Sequence, residues 1–296
     1  MRKLIIIVLC VMSCASCVSE RLTQDALRRT PDYQTLYEDL LYPSVRIESA
    51  AGCGSGVVIA SGVMRPVSET QDARPTTQDI YVLTAAHVVG DFSCVEVCFY
   101  DYGQVAAGFS LRNLKVAATV VATDTGKDLA LLRCPYGRLR TASCVMRSGP
   151  ETQDARLKTL RPARLAPRNY VPKIFTPVWV VGCALGLPPR PSEGIITKVH
   201  EFTGSRVHES TGELVNSSTR ELFWEVSAPI WPGNSGGGVF LKDTPACAEA
   251  SAGRHELIGI AVWVKVYRGQ LVSTMVGVVP LQEIYEFLER ARVLVN

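Results

Sequence analysis

The feature that most constrains this chain is a succession of short β-branched and aromatic runs, each cut off by Gly, Pro, Ser or Asp. Six of them, SVRIES, GSGVVIA, IYVLTAA, CVEVCFY, KVAATVVAT and DLALLRC, fall between Ser44 and Cys134. Six more, PVWVVGC, GIITKVHEF, LFWEVSA, GGVFL, LIGIAVWVKVY and STMVGVV, fall between Pro177 and Val279. Runs this short, with turn residues between them, predict strands rather than helices. The two series predict an all-β chain of two six-stranded antiparallel β-barrels, at 43–160 and 174–296. The Pro- and Arg-rich stretch Arg161–Lys173 reads as a solvated linker between them. At the end, Leu281, Ile284, Tyr285, Leu288 and Leu294 fall largely on one helical face, which predicts a C-terminal helix packed on a barrel.

The first residues differ from the rest. Arg2 and Lys3 precede the apolar run LIIIVLCVM and the small-residue segment SCASC. A basic start, a short apolar run and small residues describe an export signal, here 1–17, followed by a polar tether at 18–42. ASC, Ala15–Cys17, resembles the lipobox of bacterial lipoproteins, and the resemblance implies Cys17 as the lipidated first residue of a membrane-anchored mature chain. An ordinary cleaved signal, or cleavage before Cys14, stays open. An exported chain with 10 cysteines is expected to carry disulfide bonds, with no connectivity assigned. Cys94 and Cys98 cannot bridge each other along one strand, because four residues span roughly 13 Å.

The net charge of +3 gives no ground for a nucleic-acid partner. Beyond the export signal no CxxC pair or other metal or cofactor motif occurs, so none is expected. The hexapeptide ETQDAR occurs at Glu69–Arg74 and again at Glu151–Arg156, both times in a predicted loop.

Three motifs carry chemistry. TAAHVV holds His87, DLALL holds Asp128, and PGNSGGG holds Ser235. A hydroxyl becomes a nucleophile near neutral pH only when a base takes its proton, and imidazole suits that task. The imidazole in turn needs a carboxylate to fix its tautomer. Asp128 directly precedes the apolar strand, which favours it over Asp124. The glycines around Ser235 let the chain turn so that backbone N–H groups converge on an anion. His200, His208 and His255 sit in polar stretches and read as surface residues.

With GSGVVIA, TAAHVV, DLALL, GNSGG, LIGI and GVVPL in this order, the chain resembles trypsin-like, chymotrypsin-fold serine peptidases over about Ser44 to Leu288. The bacterial HtrA/Do-type protease domain is the most similar branch. The resemblance implies His87 as general base, Asp128 as its orienting carboxylate, Ser235 as nucleophile, and the N–H groups of Gly233 and Ser235 as the oxyanion hole. It places the primary specificity pocket at Pro229, Ile230 and Trp231 and at Val262, Trp263 and Val264. No acid stands at the base of that pocket, so small or medium apolar side chains, rather than Arg or Lys, are expected in protein or peptide substrates. Asn234 stands where the digestive branch has an Asp that pairs with a newly cut N-terminus, so no activating cut is expected. The chain ends soon after the final helix, which leaves no room for the PDZ domain of HtrA proteins. A catalytically silent binding domain, a scaffolding lipoprotein and a serine esterase are the rival readings.

Overall fold

Alternation within the predicted runs becomes strand pairing. The computed structural model describes residues 33–50, 52–62, 79–102, 111–135, 160–207, 214–242, 254–267 and 270–291. The export signal with Cys17, both ETQDAR copies, His208, Leu294, Cys144 and Cys247 lie outside these residues. Residues 33–36 form one helical turn that belongs to a separate unit, and the compact body runs from Tyr37.

The first barrel contains β1 (Ser44–Ser49), β2 (Gly52–Gly62), β3 (Asp79–Thr84), β4 (Cys94–Asp101), β5 (Arg112–Asp124) and β6 (Leu129–Pro135). They close in the order β1-β2-β3-β6-β5-β4. The second contains β7 (Pro177–Gly182), β8 (Arg190–Val207), β9 (Leu214–Val226), β10 (Gly238–Leu241), β11 (Leu257–Tyr267) and β12 (Gln270–Pro280). Read from β7, its order β7-β8-β9-β12-β11-β10 repeats the first. Closure leaves no edge strand in either barrel.

Each barrel is filled by its own side chains. Ile47, Leu83 and Leu131 are fully buried in the first, and Val180, Trp224, Phe240 and Ile260 in the second. Strand β10 and the first four residues of β6, Leu129 to Leu132, are apolar and buried on both faces, so they read as continuous runs rather than alternating ones. The helix Leu281–Arg290 buries Leu281, Ile284, Phe287 and Leu288. A helix this short is marginal alone in water. Full burial of such a side chain contributes about 1.5–3 kcal/mol, so packing is what forms it.

Four expectations need correction. Residues 37–42 lie in the body, not in the tether. The rings of Tyr37 and Tyr42 pack on Tyr102 at 5.8 and 5.9 Å, and Asp39 pairs with Arg254. The linker is not a purely solvated loop. Ala163 and Ala166 are buried. The Ala163 N–H bonds the Val58 carbonyl of β2, while Arg164 and Ala166 exchange hydrogen bonds with Leu257 of β11. The linker thereby fastens to both barrels. Disulfides are absent among the described residues, where Cys53, Cys94, Cys98, Cys134 and Cys183 are all free. His255 is half-buried, with its ring Nδ1 2.9 Å from the Leu241 carbonyl oxygen.

Candidate active site

His87 sits on the four-residue helix Ala86–Val89 that follows β3. The helix buries Ala86, Val88 and Val89, so the one polar residue of AHVV faces out. Asp128 ends the turn between β5 and β6 with a positive φ of 54°, a conformation that Asp tolerates better than most residues. That turn delivers the carboxylate to the histidine. Oδ1 accepts the His87 backbone N–H at 2.9 Å, and Oδ2 lies 2.7 Å from Nδ1. A carboxylate only accepts, so Nδ1 carries the proton and Nε2 is left basic. Asp124, the competing acid, instead accepts the Lys127 N–H within the same turn and pairs with Arg290.

Ser235 is presented by the turn before β10. Gly236 has φ +84°, and a Cβ there would meet the Ser55 carbonyl oxygen at 2.2 Å and Thr84 Oγ1 at 2.3 Å. The Ser235 loop therefore lies against the end of β3, where the histidine helix begins. Gly54 of β2 stands between the two motifs. A Cβ on it would lie 2.5 Å from Val88, next to His87, and 3.1 Å from the Ser235 carbonyl oxygen. Only glycine fits at both places.

The backbone N–H groups of the loop divide cleanly. Asn234 donates to Trp231 at 3.0 Å, Gly236 to Ala261 at 2.7 Å and Gly237 to Asn234 at 2.9 Å. Among the hydrogen bonds of the described residues, the N–H groups of Gly233 and Ser235 donate to none. Their peptides are nevertheless fixed. The Pro232 carbonyl accepts the Leu185 N–H at 2.7 Å, and the Asn234 carbonyl accepts Gly237. No peptide bond among the described residues is cis, so N–H and C=O point oppositely, and both open donors are turned away from those anchors.

The predicted specificity residues divide as well. Pro229 and Trp231 are exposed, while Ile230 and Val262 are buried in the wall. Trp263 and Val264 lie on β11, with side chains outside the described ones. Beside the turn Cys183–Gly186 an open cleft of about 540 Å³ is lined by Arg46, Glu48, Ser49, Ala50, Gly52, Cys53 and Gly186. Sequence reasoning missed this cleft. Its residues carry no motif, and their proximity depends on β1 meeting the loop after β7.

Two closed six-stranded barrels of equal topology, followed by a C-terminal helix, define a chymotrypsin-like fold. The sequence pattern of the trypsin-like peptidase domain matches residues 54–245, and the chain belongs to that family. No curated protein matches it. Among solved structures it is similar to the Rv3671c protease in an inactive form, at 16% identity and a TM-score of 0.52, covering 87% of this chain and 92% of that one. A serine-to-alanine mutant of Rv3671c from M. tuberculosis H37Rv, also inactive, gives 18% identity and a TM-score of 0.53 over 90% and 92% of the two chains. The serine endoprotease of Yersinia pestis gives 18% identity and a TM-score of 0.51 over 88% of this chain and 66% of that one.

Proposed function

We propose that the chain is an exported serine endopeptidase, anchored to the cell envelope through lipidated Cys17, that cleaves protein or peptide substrates after small or medium apolar residues. His87 Nε2 takes the proton of Ser235 Oγ as the oxygen attacks the scissile carbonyl. The N–H groups of Gly233 and Ser235 receive the oxyanion, and Asp128 holds the imidazolium. The proton passes to the leaving amine, and water then hydrolyses the acyl-enzyme by the same route in reverse order. One observation carries this reading. The two N–H groups that a tetrahedral oxyanion needs are the two in the loop with no acceptor, while their neighbours are all committed.

The specificity half rests on Pro229, Ile230, Trp231, Val262, Trp263 and Val264, none of which is charged. An uncharged, buried Asn234 supports activity without a cut at the N-terminus.

A fluorophosphonate probe tests the chemistry. Wild type labels, Ser235→Ala does not, and His87→Ala labels far more slowly. An unlabelled wild-type protein that still captures partners would replace the enzyme with the silent binding domain. A peptide-library profile dominated by Arg or Lys would overturn the pocket. Strict dependence of activity on a cut near Tyr42 would overturn the absence of an activating step. Loss of membrane association in Cys17→Ser tests the anchor.

A further inference from the structure

Ser55 lies inside GSGVVIA, a run that reads as plain strand, yet its polar atoms are engaged far from β2. It is 1% exposed. Its N–H donates to the Ser235 carbonyl at 2.7 Å. Its hydroxyl donates to the Gly233 carbonyl at 2.7 Å and accepts the Cys183 N–H at 2.7 Å. Its own carbonyl accepts the Thr84 hydroxyl at 2.6 Å, at the end of the strand that leads to His87. One residue of the first barrel thus bonds two peptides of the nucleophile loop, the turn after β7 and the end of β3.

From this geometry we infer that Ser55 is a positioning residue for the oxyanion cradle: its hydroxyl sets the direction of the Gly233 N–H. This rests on the reading of Ser235 as nucleophile. Gly233 has φ +97°, and as a glycine it can rotate through conformations closed to other residues. Left alone, the peptides on either side of it could turn and withdraw the donor. Two struts prevent this. The Ser55 hydroxyl holds the carbonyl after Gly233 directly. It also holds the Cys183 N–H, the first residue of the turn Cys183–Gly186, which is closed by the Gly186 N–H on the Cys183 carbonyl at 2.9 Å. That turn offers the Leu185 N–H to Pro232, the carbonyl before Gly233. Both peptides of Gly233 are therefore referred to one hydroxyl.

The packing leaves no substitute for it. A Cβ on Gly182 would lie 2.9 Å from Ser55 Oγ and 2.9 Å from Asn234 Oδ1, so the glycine lets the β7 backbone close over both groups. With alanine at position 55, the buried Cys183 N–H and the part-buried Gly233 carbonyl both lose their partner. Such groups either find a new acceptor or donor or pull the loop out of line.

The test is the fluorophosphonate labelling rate and peptide turnover of full-length wild type, Ser55→Ala and Val116→Ala. Val116 is a buried β5 residue that controls for lost stability. All are measured well below their melting temperatures. Ser55→Ala is expected to lower the labelling rate and kcat by about 10- to 100-fold, less than outright loss of a donor, with KM within threefold. The pH profile should keep its midpoint, since the His87–Asp128 pair is untouched. In the same variant, hydrogen exchange at the Cys183 amide should accelerate. Val116→Ala should match wild type per folded molecule. If Ser55→Ala does not fold, Ser55→Gly carries the same expectation. Labelling of the Ser55 variant at the wild-type rate would overturn the inference and leave the peptidase reading intact. Failure of wild type to label would overturn both.

Discussion

The Asp128 carboxylate grips His87 twice, by Oδ2 on the ring Nδ1 at 2.7 Å and by Oδ1 on the backbone N–H at 2.9 Å. The second bond fixes where the residue sits, and the first fixes which way its ring faces and which nitrogen is protonated. Asp128→Asn separates these roles. The amide can still accept from the backbone, but an NH₂ facing Nδ1 forces the proton to Nε2, the wrong tautomer for a base. The expected result is a fall in kcat of roughly 10⁴-fold with KM little changed. Steady-state kinetics on a peptide ester checks it, and a loss under tenfold would remove Asp128 from the mechanism.

The same turn is latched to the C-terminal helix. Lys127 pairs with Glu286 at 2.9 Å and with Glu283, and Asp124 pairs with Arg290. Burial works against the Lys127 charge, but its hydrogen bonds to Glu283 and Glu286 outweigh that and raise its pKa, while the bond from Lys127 lowers that of Glu286. A depressed carboxylate stabilises the fold above its unfolded value of 4.5, and that contribution is lost as pH falls through the lower folded value. The raised amine stabilises below 10.5 and is lost as pH rises through the folded value. Lys127→Ala should therefore cost about 1 kcal/mol near neutral pH, Glu286 being half-exposed, and the gap to wild type should shrink below pH 4.5. Urea unfolding across pH measures it, and a gap independent of pH would dismiss the latch.

Strand positions and motif placement were legible because a barrel wall forces its apolar residues into short runs, and because a glycine-cradled serine needs several residues without a Cβ. What the sequence hid involves long-range contact. The long β8–β9 hairpin, Arg190–Val207 with Leu214–Val226, continues past its apolar segments, since ladder hydrogen bonds need no apolar side chain. Tyr37 and Tyr42 look like tether residues until Tyr102 is brought beside them. Ser55 carries no local signal, because its hydroxyl partners lie 128 and 178 residues away.

The free cysteines should differ sharply in reactivity. Burial pushes the thiols of Cys134 and Cys183 up to about 12 and raises that of Cys98, whereas Cys53 and Cys94 are exposed. A thiolate is the reactive form, so a maleimide should modify Cys53 and Cys94 in the native protein and spare the other three. Cys53 also lines the open cleft, one residue from Gly54, which packs against the Ser235 carbonyl. A bulky maleimide should therefore slow peptide turnover in wild type and leave Cys53→Ser unaffected. Mass spectrometry of the modified peptides, read beside the residual activity, decides the matter. Equal inhibition of both proteins would move the sensitive thiol elsewhere.

Asn234 offers the sharpest contrast with an activation mechanism that depends on a charged side chain at this position. It is 5% exposed, and its Oδ1 has no hydrogen-bond partner. Asn234→Asp would place a carboxylate in that spot, where no described residue bonds the native Oδ1. Burial then raises the folded pKa above the ordinary value of about 3.9. Below that value both states are protonated and the variant loses little. As pH rises the unfolded chain ionises first, so the variant grows progressively less stable until the folded-state pKa is passed, where the penalty levels off. At pH 7 the loss should reach about 2–4 kcal/mol, against a small one at pH 3.5. Denaturant titrations of both proteins at the two pH values measure it. A variant as stable as wild type at pH 7 would mean that an unrecognised positive group reaches Asn234, and activation by an inserted amine would return as the working mechanism.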